Sequence, residues 1–339
     1  MKLKIQQNIS LADYTTLHVG GVADLFVEVG SIGELKAALQ YASKHTAAPP
    51  LILGGGSNLL ISDEGYRGLV IKNSLVGITY EDLNDTEVLL SCGSGEVLDD
   101  VIEDATSLGY WGLENLSSIP GTVGATPIQN VGAYGVEVSS LITGVKAVHS
   151  KTLEEKNFTP QECFFSYRDS FFKTQEGRQW FVTEVSFKLS KKSAPKLSYG
   201  SLIDLQNQPD ITPNQIRKTV QEIRAGKFPD WAVIGTAGSF FKNPIISAGK
   251  YTELKSTYPD LPGFELENGQ IKLSLGWVLD KICGLRGYCE GGVCMFKQQA
   301  LVLTNTGDSA KAVKKFQAKV AGIVKEKVGI DIEPEVRIV

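Results

Sequence analysis

The chain has 339 residues, of which 42% are hydrophobic and 21% charged, with a formal net charge of −4. These values are typical of a globular protein of two or three domains, and they exclude a general electrostatic attraction to nucleic acid or anionic lipid. Any anionic ligand must therefore be held by a few placed cations. No apolar run could span a bilayer, and MKLKIQQNIS lacks the apolar core of a signal peptide, so we expect a cytoplasmic protein.

Hydrophobic periodicity predicts strands and helices along the whole chain, without internal repeats. Ser31 with Glu34 forms a capping-box pattern that begins the first helix, and Thr212 with Pro213 begins a later one. Strands are predicted over residues 24–30, 51–53, 68–73, 87–93, 145–150, 180–189, 300–305 and 330–339. One helix is predicted to begin after Ser31 and another after Thr212. Three more are predicted over residues 98–108, 275–283 and about 308–328. The pattern indicates an α+β fold with a break near residue 200, and 191–196 is the best linker candidate.

The five cysteines lack CxxC spacing. Cys283, Cys289 and Cys294 lie near one another, but three thiols without a nearby histidine make a poor zinc site. We therefore expect no metal, and buried free thiols in a reducing cytoplasm. The three histidines sit in no catalytic constellation, so proton chemistry is expected to fall to other groups.

The glycine run LILGGGSNLL, residues 51–60, leaves a predicted buried strand. It matches neither the P-loop pattern, which needs a lysine after its glycines, nor the dinucleotide fingerprint G-x-G-x-x-G. What remains is a turn whose free N–H groups can cradle a diphosphate. A tight turn without a ligand is an equal alternative on this evidence alone.

A second glycine-rich tract, SSIPGTVGATPIQNVGAYGVE, covers residues 117–137. Its Gln129 and Asn130 offer amide donors and acceptors suited to a heterocycle. Two such loops in one domain suit an elongated dinucleotide lying between them. A purely structural Ω-loop is the weaker alternative, because so many glycines forfeit packing over a long stretch.

Three further segments carry candidate chemistry. Arg168 interrupts the aromatic run FFSYRDSFFK and must be paired, either with a ligand carboxylate or internally, with Asp169 or a distant carboxylate. Ser239 lies in GTAGSFFKNP, on a tight turn before two phenylalanines, but the segment lacks the G-x-S-x-G elbow of serine hydrolases. The terminal EPEVR places Glu333, Glu335 and Arg337 on one face of a strand, where a solvated edge is the simplest alternative.

Together these segments resemble the UDP-N-acetylenolpyruvoylglucosamine reductase (UDP-N-acetylmuramate dehydrogenase) family. No single segment is decisive, but they run in family order over essentially the whole chain. The matching segments are TTLHVGG (15–21), LILGGGSN (51–58), GLENLSSIPGTVGATPIQNVGAYGVE (112–137), YRDSFFK (167–173), LSYG (197–200), GSFFKNP (238–244) and EPEVR (333–337).

The resemblance implies non-covalent FAD in a two-lobed domain of the vanillyl-alcohol-oxidase type, followed by a C-terminal α/β substrate-binding domain. The FAD domain is expected over 1–190, with its lobes meeting near residue 73 and the strand 331–339 returning to it. A linker with a tyrosine loop is expected over 191–210, and the substrate domain over 211–330. The residues implied to bind FAD are Gly54, Gly55, Gly56, Ser57, Asn58, Ile119, Gly121, Thr122, Gly124, Ala125, Thr126, Gln129, Asn130, Gly132, Ala133, Tyr134 and Gly135.

The activity implied is NADPH-dependent reduction of UDP-N-acetylglucosamine enolpyruvate to UDP-N-acetylmuramate through FAD, in peptidoglycan precursor synthesis. Hydride from flavin N5 would reach the vinyl carbon, and negative charge would spread into the substrate carboxylate. The site then needs a cation at that carboxylate and a proton donor at the neighbouring carbon. By family position Arg168 is the cation, Glu335 assists it, and Ser239 gives the proton.

The resemblance also implies contacts to the UDP part from Tyr199, Lys227 and Asn243. Tyr199 marks the subtype whose tyrosine loop closes over the substrate. Arg286 stands where the family often has lysine and can bind phosphate through its forked guanidinium, and Lys272 is a further candidate. We expect a monomer that acts on small molecules, with no nucleic-acid or membrane partner.

Two other functions fit parts of this pattern. A flavin oxidoreductase of the same fold that oxidises an alcohol or hydroxy acid would not need the serine of GSFFKNP or the tyrosine loop. A flavin-binding or nucleotide-binding module without turnover is the non-enzymatic alternative. A change in the visible absorbance of the flavin on titration with the enolpyruvyl substrate, rather than with a simple hydroxy acid, distinguishes the reductase from the other oxidoreductase. Turnover of the enolpyruvyl substrate distinguishes it from the non-enzymatic module.

Overall fold

The computed structural model describes residues 3–208 and 210–339. The strands are β1 (Gln6–Ser10), β2 (Val22–Val29), β3 (Leu51–Leu53), β4 (Leu59–Leu60), β5 (Tyr66–Asn73), β6 (Ile78–Asp82), β7 (Glu87–Gly93), β8 (Gly132–Ala133), β9 (Val136–Glu137), β10 (Ile142–His149), β11 (Glu155–Phe158), β12 (Trp180–Ser190), β13 (Gly235–Ser239), β14 (Ile245–Ile246), β15 (Gly263–Glu265), β16 (Ile271–Leu273), β17 (Cys289–Glu290), β18 (Val293–Met295), β19 (Val302–Asn305) and β20 (Arg337–Ile338). The α-helices are α1 (Ile32–His45), α2 (Leu98–Ser107), α3 (Pro213–Ala225), α4 (Ala248–Thr257), α5 (Leu275–Trp277), which continues as a π-helix (Val278–Ile282), and α6 (Ala310–Val328).

The chain divides into two compact units, each assembled from discontinuous segments. Unit 1 contains the N-terminal segment up to Ile9, Ala23–Gly55 and Tyr66–Arg224. Unit 2 contains Ser10–Val22, Gly56–Gly65 and Ala225–Val339.

The break after Arg224 lies later than the predicted break near residue 200. The reason is that α3 packs inside unit 1, where Ile216 and Val220 share a buried cluster with Trp111 and Leu202.

The first sheet of unit 1 has the order β1-β2-β5-β3, and β2, β5 and β3 run parallel. Helix α1 packs its buried Leu35 and Leu39 with this sheet. As the sequence predicts, Ser31 Oγ accepts the Glu34 N–H, while the Glu34 carboxylate accepts the Gly30 N–H at 2.8 Å. The glycine run leaves β3 at the carboxyl edge of the parallel strands, which is where ligands of such sheets bind.

The second sheet of unit 1 is antiparallel, in the order β11-β10-β12-β7-β6. Helix α2 covers it, with Val101 and Ile102 fully buried in the same cluster as Leu90 of β7. The change from the first sheet to the second falls between Asn73 and Ile78. Unit 1 therefore has two lobes, each with its own sheet and helix.

Unit 2 combines the antiparallel sheet β13-β19-β18-β17 with the smaller sheet β14-β16-β15 and the parallel pair β20-β4. Its core includes the inward face of α6, where Val313, Phe316 and Val320 are buried. Asp63 accepts the Ala310 N–H at 2.8 Å and the Lys311 N–H at 2.9 Å. These bonds satisfy the first donors of α6 and explain why the segment 56–65 belongs to unit 2.

The predicted strand over 330–339 exists only as β20, so this prediction was too long. Pro334 has no N–H to donate to a ladder, and it forms only an isolated pairing with Phe241. Strand β20 pairs with β4 inside unit 2, whereas the sequence prediction had this segment returning to the FAD domain.

The prediction of buried free thiols is wrong for two of the five cysteines. Cys289 and Cys294 are opposite each other in the β17–β18 hairpin and form a disulfide. Cys92 and Cys163 are free and buried, and Cys283 is free and half-buried. The pairing follows from the hairpin register, which the spacing of the cysteines did not reveal.

None of the helices in residues 3–208 and 210–339 combines the length and the apolar character that crossing a membrane requires.

Candidate active site

The first glycine loop, residues 54–58, begins in direct main-chain contact with the second glycine loop, residues 117–137. A Cβ atom on Gly55 would lie 2.8 Å from Gly121 Cα, and a Cβ on Gly54 would lie 2.6 Å from Thr122 Oγ1. Distances this short are not found for real side chains, so the glycines are required by the approach of the two loops within unit 1. The close neighbour of the first glycine loop is therefore a second stretch of main chain without side chains.

The remainder of the first glycine loop belongs to unit 2. Gly56 has φ +64°, and a Cβ there would lie 1.9 Å from the Tyr14 carbonyl oxygen. Asn58 ties the loop to the chain terminus, because its Nδ2 donates to Glu335 O at 3.3 Å and its own carbonyl accepts the Arg337 N–H at 3.0 Å.

The second glycine loop is held in shape by a main-chain hydrogen bond to Ser94 and by the side chain of its own buried Asn130. Gly124 N–H donates to Ser94 O at 2.9 Å, and a Cβ on Gly124 would lie 2.5 Å from Ser94 Cβ. The Asn130 amide, which the sequence offers as a hydrogen-bond partner for a heterocycle, is bonded within unit 1. Its Nδ2 donates to Glu137 Oε2 and to Ser166 O, and its Oδ1 accepts the Ser139 N–H. Asn130 thus stabilises the loop with its side chain.

Arg168 lies at the tip of a tight turn that faces the second glycine loop. The turn is closed by two main-chain hydrogen bonds between Ser166 and Asp169, and Arg168 has the left-handed φ of +54°. Its Nη2 donates to Gly132 O at 2.6 Å, and its Nη1 lies 3.4 Å from Asn130 O. The Asp169 carboxylate instead accepts the Ser170 N–H. The guanidinium is therefore oriented by carbonyl oxygens of the second glycine loop.

Tyr199, predicted to contact the UDP part, packs edge-on against Tyr134 with ring centroids 5.5 Å apart. Tyr199 is 46% exposed and begins the 3₁₀ helix Gly200–Asn207. Tyr134 also hydrogen bonds to Arg224, and burial is the main cause that lowers the pKa of this arginine. The segment that carries Tyr199 is thus in contact with the second glycine loop in unit 1.

Ser239 and Glu335 are brought onto adjacent segments of unit 2. Strand β13 bulges between Thr236 and Ser239, with Gly238 at φ +71°. Such bulges redirect a side chain. Phe240, the next residue, is fully buried, and its carbonyl accepts the Glu335 N–H at 2.8 Å. Ser239 and Glu335 are each half-buried.

Four residues of unit 2 are predicted to contact the UDP part, and they lie on different segments of this unit. Asn243 Oδ1 accepts the Leu275 N–H at 3.0 Å and so caps α5. Lys272 on β16 is half-buried, with its Nζ 6.0 Å from the centroid of the Phe264 ring. Arg286 is exposed and donates to Lys297 O at 2.6 Å. Lys227 is half-buried, just after the unit boundary.

The predicted site residues are divided between the two units. Unit 1 carries Arg168, Tyr199, Gly54, Gly55 and the predicted members of the second glycine loop, including Ile119, Ala125, Thr126, Gln129, Ala133 and Gly135. Unit 2 carries Ser239, Glu335, Gly56, Ser57, Asn58, Lys227, Asn243, Lys272 and Arg286.

Sequence reasoning missed two buried groups beside the second glycine loop. Glu114 is fully buried; its Oε2 accepts the Gly112 N–H at 2.6 Å, and its Oε1 has no hydrogen-bond partner in the described residues. Burial raises the pKa of this carboxyl group above its usual range. Asn115 donates to Tyr134 O and to Lys196 O, both at 2.8 Å. The sequence indicates these buried groups only through an acidic and an amide residue placed together in the segment GLENL.

Lys72 was also missed. Its Nζ donates to Gly54 O at 2.6 Å, directly under the first glycine loop. Burial lowers the pKa of Lys72, opposed by the nearby Glu28 carboxylate. The only indication of this lysine's position in the sequence is a charged residue near the end of the otherwise apolar strand GLVIKN.

These residues fit an FAD diphosphate. Two glycine loops in main-chain contact supply N–H groups without side chains, and a lysine ammonium lies beside the first of them, so both the geometry and the charge suit an anion. Residues 23–152 match the family described as FAD binding domain, which makes this part of the chain a flavin-binding domain. Residues 229–339 match the family described as the C-terminal domain of UDP-N-acetylenolpyruvoylglucosamine reductase.

Comparison of the whole chain gives the same result. It is 38% identical over 339 residues to a UDP-N-acetylenolpyruvoylglucosamine reductase of Pseudomonas syringae pv. tomato, covering 99% of both chains. It is 37% identical to the enzyme of that name from Bacteroides fragilis, covering 99% of this chain and all of the relative. The crystal structure of the Thermus caldophilus reductase aligns with a TM-score of 0.70 at 26% identity, covering 99% of both chains.

The chain belongs to the UDP-N-acetylenolpyruvoylglucosamine reductase family. This confirms the resemblance and the α+β fold, with an FAD-binding domain followed by the C-terminal domain of this family. Members are FAD-dependent oxidoreductases that use NADPH in the synthesis of peptidoglycan precursors.

Proposed function

We propose that this protein reduces UDP-N-acetylglucosamine enolpyruvate to UDP-N-acetylmuramate, with NADPH as co-substrate and non-covalent FAD as cofactor. The observation that carries the proposal is the contact between Gly55 and Gly121, which joins the two glycine loops through bare main chain. When bound, FAD supplies the hydride-transfer chemistry. The residues implied to line it are the predicted members of the two loops.

Arg168 is proposed to hold the substrate carboxylate. Addition of hydride to the vinyl carbon leaves negative charge that is delocalised into this carboxylate, so a guanidinium there stabilises the transition state. The orientation of Arg168 by Gly132 O and Asn130 O supports this role, because a fixed cation need not reorganise during the reaction.

Ser239 is proposed to give the proton that the neighbouring carbon requires, and Glu335 to assist at the carboxylate. A hydroxyl group is a weak acid, but a carbanionic product is a strong base and can take its proton. The position of the hydroxyl relative to this carbon therefore matters more than the pKa of the hydroxyl. The bulge at Gly238 and the main-chain bond from Glu335 to Phe240 support these roles by fixing the segments that carry the two side chains.

Contacts from Tyr199, Lys227, Asn243, Lys272 and Arg286 to the UDP part complete the proposal. The packing of Tyr199 on Tyr134 supports assignment to the subtype with a tyrosine loop. We further propose a monomer that acts in the cytoplasm, where its nucleotide substrates are made.

The test separates the two halves of the reaction under anaerobic conditions. With Ser239→Ala we expect normal bleaching of the flavin by NADPH, but reoxidation by the enolpyruvyl substrate slowed by about 100-fold or more, as for loss of one positioned proton donor. Ser256→Ala is the control, since Ser256 is exposed and bonds only within its own helix. Wild-type reoxidation rates in Ser239→Ala would contradict the assignment of the proton donor.

A further inference from the structure

Lys72 is placed at the base of the first glycine loop by the register of the parallel sheet. It is the second-last residue of β5 and is paired with Leu53 of β3 on one side and with Glu28 of β2 on the other. The ammonium therefore lies at the carboxyl edge of the sheet. From there Nζ reaches the carbonyl oxygen of Gly54 at 2.6 Å.

This hydrogen bond fixes the peptide that joins Gly54 to Gly55. The peptide is trans, so its C=O and its N–H point in opposite directions. With Gly54 O directed at Lys72, the Gly55 N–H is directed to the opposite side of the loop. Gly55 is exposed and has no side chain to cover that N–H.

The environment of Lys72 favours a nearby anion. The side chain is half-buried, and burial lowers the pKa of the ammonium, against the effect of Glu28. Glu28 is itself engaged by the hydroxyl of Ser74. A partly desolvated cation is stabilised by additional negative charge, and a diphosphate at the glycine loop would supply it.

We propose that Lys72 is a positioning residue for the diphosphate of FAD, which holds the Gly54–Gly55 peptide with its N–H towards the diphosphate and adds a positive charge behind the loop. The inference rests on the proposed function for the presence of FAD, but the assignment of Lys72 is independent of the substrate that is reduced. The alternative is a lysine that only ties β5 to the end of β3.

The experiment measures FAD binding to apo-protein by quenching of flavin fluorescence, for wild type, Lys72→Met and Lys72→Arg. Lys146→Met is the matched control, because Lys146 lies on a strand of the same unit and pairs with Glu184 at the surface. The dissociation constant is measured at about 0.05 M and about 0.5 M KCl, since salt weakens the contribution of a charge. Thermal unfolding of each apo-protein reports stability separately from binding.

We expect Lys72→Met to weaken FAD binding about 10- to 100-fold, the range for loss of a hydrogen bond to a charged group. Lys72→Arg should recover most of the affinity, and the salt dependence of Lys72→Met should be smaller than that of wild type. The apo-protein melting temperatures and the control should change little.

Two results would overturn the proposal. One is wild-type affinity and salt dependence in Lys72→Met. The other is a loss of affinity accompanied by an equal loss of apo-protein stability and not recovered by arginine, which would show a structural tie alone. If wild-type protein itself binds no FAD, the proposed function fails first, and this outcome is distinct from both.

Discussion

The Nη2 atom of Arg168 lies 2.6 Å from the carbonyl oxygen of Gly132. This contact joins the aromatic segment that carries the arginine to the second glycine loop. Because Arg168 is also fixed at a left-handed φ by the turn that carries it, both its main chain and its guanidinium are held in one orientation. The second glycine loop thus fixes the orientation of the arginine side chain.

Replacing Arg168 by lysine should lower kcat/KM by about 100-fold or more, because an ammonium cannot bond two carbonyl oxygens and a carboxylate with the same planar geometry. FAD content, read from the visible spectrum, should stay near that of wild type. Arg178→Lys, at an exposed position of the same unit, is the control. Wild-type kcat/KM in Arg168→Lys would contradict the role of the guanidinium.

Lys173 should act through Arg168. Its Nζ donates to the Arg168 carbonyl at 2.6 Å and so supports the turn. We expect Lys173→Met to lower kcat/KM by about 10-fold, with FAD affinity unchanged. In a double-mutant cycle with Arg168→Met, the second substitution should add little, because both remove the same function. Additive effects would show that Lys173 acts elsewhere, and Lys151→Met, in an exposed turn, is the control.

Gly55→Ala should disrupt the contact between the two glycine loops. The new Cβ would lie 2.8 Å from Gly121 Cα, a main-chain atom that cannot rotate away. Overpacking of this kind costs about 1–3 kcal/mol, so we expect weaker FAD binding and a lower melting temperature. Gly30→Ala is the control in the same unit, because its nearest neighbours would be 3.8 Å away. Unchanged FAD affinity in Gly55→Ala would show that the loops do not need this approach.

Glu114 should make the stability of the protein fall as pH rises. Burial raises the pKa of its carboxyl group, so the folded protein binds this proton more tightly than the unfolded chain does. The stabilisation is complete below the unfolded pKa of about 4.3 and is lost as pH rises through the folded pKa. The glutamine of Glu114→Gln cannot ionise. The free energy of unfolding of this variant should therefore increase relative to that of wild type as pH rises through this range. Urea titrations from acid to neutral pH measure the difference, with exposed Glu154→Gln as the control; parallel curves would contradict the raised pKa.

Features set by local sequence were predictable. The cap at Ser31, the helix start at Thr212–Pro213 and the glycine loops all depend on residues within a few positions of one another. The family resemblance then assigned a role to Arg168 that the residues alone left open between a ligand and an internal partner.

Features that depend on distant residues were not predictable. The capping of α6 by Asp63 joins residues 247 positions apart, and it helps to assign a short internal segment to unit 2. The Cys289–Cys294 disulfide depends on hairpin register, and the bond from Lys72 to Gly54 depends on the parallel pairing of β5 with β3. None of these partners is indicated by the periodicity of its own segment.

The most direct test mixes anaerobic, NADPH-reduced wild-type protein with UDP-N-acetylglucosamine enolpyruvate and follows absorbance near 450 nm. The account predicts reoxidation of the flavin without oxygen and formation of one UDP-N-acetylmuramate per flavin. A purified protein that holds no FAD and takes up none, or a reduced flavin that stays bleached in the presence of this substrate, would contradict it.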